Sequence, residues 1–399
     1  MRRMIDNYNA AVEAGTTAEA INTDSTQINW TRQLIRDLTS RKHHKFDADS
    51  IRSSIYRPFC AQSVYFAREM NDMICQLPQL FPTPRHLNLY LSATGEGSAK
   101  EFAALVAVST PDLHLLGAGV GTQTFSLYTW EPLSSTSGSE PDLFANLATA
   151  SESQADGAAT ASSLDFSRTI GDQILVILDG YRRVDNVTDA TLASYREHYG
   201  DAGITKEDIF FYVYALLHHP EYRERYEDDL KKMLPHIPRA AGFHTYASVG
   251  RELADLHVNY ERVEPYPSVQ EEASLQAPAD PWERYRIGER KMRFPALGRR
   301  DKDITRLEYN DYVTLTGIPA EAQGYSISGR SPLEWIIDRY HVKTDKASGI
   351  VNDPNDFLRE QGRPDAVVDL IKRLVTVSMR TQELLETLPA FEISGDEGR

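Results

Sequence analysis

The stretch TKEDIFFYVYALLHHPEYRERYEDDLKKMLPHIPR, Thr205 to Arg239, decides how the middle of the chain folds. Thr205 can accept the backbone N–H three residues on, and Asp208 can reach back, which predicts a capped helix start. Ile209, Tyr212, Val213, Leu216 and Leu217 then recur at helical spacing. His218-His219-Pro220 ends this helix, and Pro220 suits the first turn of a second one. In that second segment Tyr222, Tyr226, Leu230 and Met233 face one way, and Arg223, Glu224, Asp228, Lys231 and Lys232 face the other. Pro235 and Pro238 stop it. The pattern predicts a packed helical hairpin. His218 and His219 serve local carbonyls in this reading, because no partner base or nucleophile accompanies them.

Working outward, Ile28, Leu34, Ile35 and Leu38 give an early apolar face beside Arg32, Arg36 and Asp37, as in a helix. Leu87 to Ala93 alternates like a strand. Phe102 to Val108 is open between a capped helix and a short buried strand. Leu113–Leu116 and Thr124–Trp130 flank a glycine-rich turn and read as paired strands. Gln173–Leu178, Lys291–Phe294, Ile304–Tyr309 and Tyr312–Leu315 have strand character, and Gln270–Asp280 reads as a polar connection. Ser331, Pro332 and Glu334 form a helix start with a capping box. Residues 364–388 predict a long amphipathic helix. The fold class is α+β, with mixed and antiparallel sheets, a helical middle section and a long C-terminal helix. Four parts are expected: an N-terminal α/β part (1–133), a flexible Ser/Ala/acidic linker (134–164), a mainly helical part (165–270), and a β-rich lobe ending in the long helix (271–399).

The 399 residues carry a net charge of −15, which argues against a protein that coats nucleic acid indiscriminately. The charge is uneven. Residues 284–306 hold nine basic and three acidic side chains, a balance of +6, and residues 32–57 hold seven and three, a balance of +4. Residues 131–165 hold six acidic and no basic ones. Such a chain suits one face turned to phosphates. The candidate DNA-binding residues are Arg284, Arg286, Arg290, Lys291, Arg293, Arg299, Arg300, Lys302 and Arg306. A second, weaker set is Arg41, Lys42 and Lys45, beside His43 and His44. The competing reading of both is a solvated surface with ordinary ion pairs. Cys60 and Cys75 alone cannot build a disulfide framework, which points to a reducing cytoplasm. No run is long enough to span a membrane.

Four patterns invite a catalytic, cofactor or metal reading and fail on context. Gly117-Ala118-Gly119-Val120-Gly121 follows an apolar run, but its spacing departs from the dinucleotide fingerprint and a strand-like segment follows, so a structural turn is expected. Asp280 with Glu289-Arg290-Lys291 mimics a metal-nuclease pattern, across a helix-like turn where a hairpin would be needed. The histidines show no ligand spacing, and Asp353-Pro354-Asn355-Asp356 is a turn signature. No catalytic residue and no metal ligand is assigned. Tyr56-Arg57-Pro58-Phe59 is expected to be a structural corner.

Several phrases in one order carry a family resemblance: Thr205–Arg239, Tyr56-Arg57-Pro58-Phe59, Leu80-Phe81-Pro82-Thr83-Pro84, Pro111-Asp112-Leu113-His114, and SPLEWIIDRYHVKTDKASGIVNDPNDF from Ser331 to Phe357. Together they resemble the C-terminal target recognition (specificity) region of Type ISP restriction–modification enzymes. Those are bacterial single-chain DNA helicase–nuclease–methyltransferases that serve in phage defence. The resemblance implies a fragment of such a polypeptide that binds double-stranded DNA, does no chemistry itself, and works with upstream methyltransferase and helicase domains. S-adenosylmethionine, ATP and Mg would belong to those other domains. It also places target recognition in the 284–306 region. Two other readings stay open: a module that docks methyltransferase to translocase without reading bases, suggested by the acidic balance and the long C-terminal helix, and a metal-dependent nuclease.

Overall fold

The computed structural model describes residues 1–98, 100–133, 177–299, 301–346 and 349–394. The linker expected at 134–164, the first part of the Gln173–Leu178 strand, and Arg300 lie outside the described residues.

Helices α1 (Arg2–Glu13) and α2 (Arg32–Thr39) enclose a small apolar core that includes Tyr8, Val12, Leu34 and Leu38. Strands β1 (Ile51–Arg57) and β2 (Cys60–Tyr65) follow as an antiparallel pair. The corner between them is the Tyr56–Phe59 phrase. Phe59 has φ +58° and is fully buried, and the Arg57 guanidinium donates to Asp112 at 2.7 Å, tying this phrase to Pro111–His114. After the short helix α3 (Leu77–Leu80), strand β3 (Tyr90–Thr94) lies between β4 (Ala104–Ala107) and β6 (Thr122–Ser126), all antiparallel. Thus the ambiguous Phe102–Val108 segment resolves as a strand over Ala104–Ala107. The two-residue β5 (Thr110–Pro111) pairs parallel with β1, which makes that sheet mixed. At Leu127 the chain leaves one sheet for the next, where β7 (Tyr128–Pro132) and β8 (Ile177–Leu178) flank β9 (Tyr181–Asp185).

Leu113–Leu116 is not a strand. Asp112 accepts the His114 N–H at 2.8 Å, and its carbonyl accepts the Leu115 N–H at 3.1 Å, winding the segment into turns that bury Leu115 and Leu116. A polar side chain competing for backbone donors has overridden the apolar run.

The helical middle begins with α4 (Asp189–Tyr199) and α5 (Lys206–His218). Both halves of the Thr205/Asp208 capping box form. Helix α5 is buried nearly all round, with Phe210, Phe211 and Tyr214 inside as well as the expected stripe, so it is a central helix rather than half of a surface hairpin. The segment after Pro220 makes only α6 (Pro220–Arg225) and α7 (Glu227–Leu230), because Tyr226 leaves the helical region, and Met233 is left exposed. The main partner of α5 is α8 (Phe243–Val258). Their backbones approach so closely at Gly250 that a Cβ there would overlap the Phe211 carbonyl.

Gln270–Ala273, expected as part of a connection, forms strand β10, which after the short helix α9 (Pro281–Arg284) is joined by β11 (Leu307–Glu308) and β12 (Val313–Thr316) in the order β10-β12-β11. Helix α10 (Pro332–Arg339) starts at the predicted Ser331/Glu334 capping box. The hairpin β13 (Lys343–Thr344) and β14 (Val351–Asn352) leads to α11 (Pro354–Gln361), capped by Asp353. Helix α12 (Ala366–Glu386) buries Val367, Leu370, Ile371, Leu374 and Val377 in a large core shared with β12 and α10. Its last turns, through Leu384 and Leu385, pack against the second core around α5 and α8.

Candidate nucleic-acid interface

The basic segment 284–306 is fixed from below. Asn355, buried, accepts the Ile287 N–H at 2.9 Å and donates to the Ile287 carbonyl at 2.8 Å. Ile287, Met292 and Phe294 are buried, while Arg286, Arg290, Lys291 and Arg293 point outward. The strand expected at Lys291–Phe294 is reduced to a single bridge from Arg293 to Glu308. Pro295 has no N–H to continue it. Beyond it the chain turns on itself: Leu297 donates to the Asp301 carbonyl at 2.9 Å, and Asp303 to that of Pro295 at 2.8 Å. The tip, Leu297 to Arg299, is exposed.

Charge is distributed less simply than the sequence count suggests. Arg290 and Arg293 both hold Glu308, at 2.5 and 2.6 Å, and Arg290 also pairs with Asp311. Lys291 pairs with Asp338 at 2.9 Å and Arg306 with Glu272 at 2.8 Å. Arg284 donates to the Pro278 carbonyl at 3.0 Å. Among the described residues, only Arg286, Arg299 and Lys302 of this set are exposed without an ion-pair partner.

Facing the basic loop is a tight turn. Ile327 and Arg330 exchange backbone bonds at 2.8 and 3.2 Å across Ser328 (φ +52°) and Gly329 (φ +76°), as in a two-residue hairpin turn with both central residues left-handed. Ser331 then caps α10, so Arg330 is held between two rigid features. Its guanidinium reaches Asp338 at 2.9 Å and lies 5.1 Å over the Trp335 ring. Asp338 also receives Arg339. Burial would raise the Asp338 carboxyl, but the bond from Lys291 and the arginines beside it outweigh that and hold it well below the usual carboxylate range. The space between loop and turn is a groove with two compartments. One, about 250 Å³, is lined by Lys291, Arg293, Lys302 and Arg330 with Glu334 and Asp338. The other, about 330 Å³, shares Phe294, Lys302 and Glu334 and extends toward Glu101 and Gln323.

A family model for the Type ISP C-terminal specificity domain matches residues 1–370. The chain belongs to that family. It is also similar to a nuclease-deletion mutant of the Type ISP restriction-modification enzyme LlaGI in complex with a DNA substrate mimic, at 30% identity and TM-score 0.73, covering 98% of this chain and 31% of that one. The ATP-dependent Type ISP enzyme LlaBIII bound to DNA gives 29% identity and TM-score 0.77, over 99% and 22%. A DrdV–DNA complex gives 30% and 0.74, over 98% and 33%. This specificity domain therefore spans between 22% and 33% of the length of these chains. No curated protein matches.

The second basic set of this specificity domain stands elsewhere, on the small α1–α2 core. Lys42 lies 3.7 Å from Asp37, while its carbonyl accepts the Tyr8 hydroxyl at 2.9 Å. Arg41 and Lys45 are exposed without an ion pair among the described residues. His44, buried between them, contacts Asp37 at 2.8 Å and Glu69 at 3.5 Å. No ion pair or hydrogen bond among the described residues joins this set to the groove.

The glycine motif is a turn, closed by the Val120 N–H donating to the Gly117 carbonyl at 3.1 Å; its end is tied to Gly95, which donates to the Gly121 carbonyl at 2.7 Å and where a Cβ would overlap that oxygen. Of the nuclease-like pattern, Asp280 caps α9 and Lys291 is bound to Asp338. Among the described residues no group of three or more His, Cys, Asp or Glu side chains is placed to hold a metal ion, and no helix is long and apolar enough to cross a membrane. His218 contacts the Tyr214 carbonyl at 2.9 Å, one turn back, as expected, whereas His219 reaches the distant Pro389 carbonyl at 3.0 Å and so serves a long-range contact rather than a local one.

Proposed function

We propose that this chain is the DNA target recognition domain of a Type ISP restriction–modification enzyme. It binds a specific duplex site and so directs adenine methylation and ATP-dependent cleavage by other domains of the same polypeptide. In this reading the chain has no catalysis of its own, and S-adenosylmethionine, ATP and Mg belong to those other domains. The observation that carries the reading is the cationic groove between the 295–303 loop and the Arg330 turn, with Lys302 in its lining and Arg299 exposed at the loop tip, neither in an ion pair among the described residues. Phosphate contacts from such groups set register, and an arginine such as Arg299 at the tip can reach a guanine edge. The domain would work on a bacterial chromosome or invading DNA in the cytoplasm.

The docking alternative loses one of its two motives. The apolar side of α12 is buried within this chain, in both cores, and is not offered to another domain. A chimera decides between the readings: segments 286–306 and 324–339 are exchanged with those of a second family member of different site preference. Transfer of the donor's preference supports base recognition, and retention of the host's preference supports docking alone.

A further inference from the structure

Three features of the smaller compartment go together. Its lining holds four cations, Lys291, Arg293, Lys302 and Arg330, against two carboxylates, Glu334 and Asp338, a surplus of two positive charges. The carboxylates are already committed. Glu334 accepts the Ser331 N–H at 3.0 Å as half of the capping box, and Asp338 is shared by Lys291 and Arg330 at 2.9 Å each and by Arg339. The cations are not used up. Arg293 is held by Glu308, but Lys291 and Arg330 remain 47% and 44% exposed, each spends one N–H on Asp338, and Lys302 has no ion-pair partner among the described residues. An ammonium and a guanidinium have several donors each, so most of those facing the compartment are unspent. At about 250 Å³ the space falls below the roughly 300–1,000 Å³ of sites that take a drug-sized molecule. It suits one small hydrated anionic group rather than a nucleotide.

Resting on the reading of the chain as a DNA recognition domain, we infer that this compartment is a seat for a single backbone phosphate of the duplex. Lys302 and Arg330 are its arms, and Asp338 is the positioning residue that fixes Lys291 and Arg330 at its edge. A flexible patch of four cations would attract any polyanion. Two cations tethered to one carboxylate present their remaining donors in one geometry, so the phosphate is accepted at one register and the neighbouring base pairs are set relative to the 295–303 loop. Asp338 thereby exchanges some attraction for selectivity, the repulsive element that a discriminating site needs.

The test is a coupling cycle between protein and DNA. A duplex selected by the intact wild-type protein is made with one uncharged methylphosphonate at each position in turn. The inference predicts one position where this substitution weakens wild-type binding about tenfold, the loss of one charge-assisted contact. At that position the Arg330→Ala/Lys302→Ala variant, already weaker, loses no more than about twofold. Asp338→Asn, which keeps the shape and removes the charge, binds non-specific duplex more tightly and lowers the ratio of specific to non-specific affinity. Inorganic phosphate is the control ligand. If it stabilises the protein but no methylphosphonate position couples to Lys302 and Arg330, the seat takes free anions only and the inference fails. If no position couples while site-specific binding persists, the seat fails and the recognition reading stands. Loss of all site-specific binding by the wild type would instead remove the recognition reading. Asp338→Asn with an unchanged affinity ratio would overturn the positioning role.

Discussion

Replacing Arg299 and Lys302 together by alanine removes the two loop cations that no carboxylate among the described residues neutralises. A cation that neutralises one phosphate contributes about 0.9 to the slope of log K against log salt. The pair therefore contributes about 1.8. Measured from a 1 M reference, that slope is worth about 30-fold in affinity at roughly 0.15 M salt. The control is Arg290→Ala with Asp311→Ala, which removes an ion pair already formed within the protein and leaves the net charge unchanged. Anisotropy titrations of a labelled duplex with the intact protein, over a salt series, give both slopes. The first variant should lose about 1.8 from the slope, and the control should keep that of the wild type. If both keep it, or both lose it equally, the unpaired cations are not the DNA contacts.

Other outcomes follow from the packing and the buried groups. Gly250→Ala forces α5 and α8 apart at Phe211 and should cost at least about 1–3 kcal/mol in denaturant unfolding. Ser331→Ala removes the bond that caps the Glu334 N–H, at 3.2 Å, and should cost about 1 kcal/mol; by loosening Arg330 next to it, it should also weaken DNA binding. Burial pushes the His218 imidazole from 6.5 down to about 4, and His257 in the same direction. The unfolded chain thus takes up these protons first, so stability is full above the unfolded value and falls as pH drops from about 6.5 toward 4, by about 3 kcal/mol for His218 alone. Urea unfolding across that range should show a shallower dependence for His218→Gln than for the wild type.

The features legible in the sequence are the local ones. The Thr205/Asp208 and Ser331/Glu334 capping boxes each depend on residues three apart, and both form as predicted. The Tyr56–Phe59 corner and the glycine turn are also decided within a few residues. The hairpin expectation failed because the partner of α5 is chosen by Gly250, far along the chain, and a glycine in a helix does not announce which backbone it admits. The charge count of residues 284–306 was correct but incomplete. Glu308 and Asp311 lie just past its end, Glu272 before it, and Asp338 follows Lys291 by 47 residues; these carboxylates neutralise much of it. Arg330 is not legible from charge clustering, because it stands alone in sequence. Its signal was the Ser328-Gly329 turn pressed against the Ser331 cap, a pair of local constraints that fixes the residue between them.

In the proposed function, the groove between the 295–303 loop and the Arg330 turn faces DNA. A structure of the intact protein on its duplex measures this directly. The prediction is a phosphate oxygen within about 3 Å of Lys302 Nζ, with Arg330 donating to the same group. A groove that faces solvent or another protein domain, with no phosphate within a screening length of about 8 Å, would contradict it.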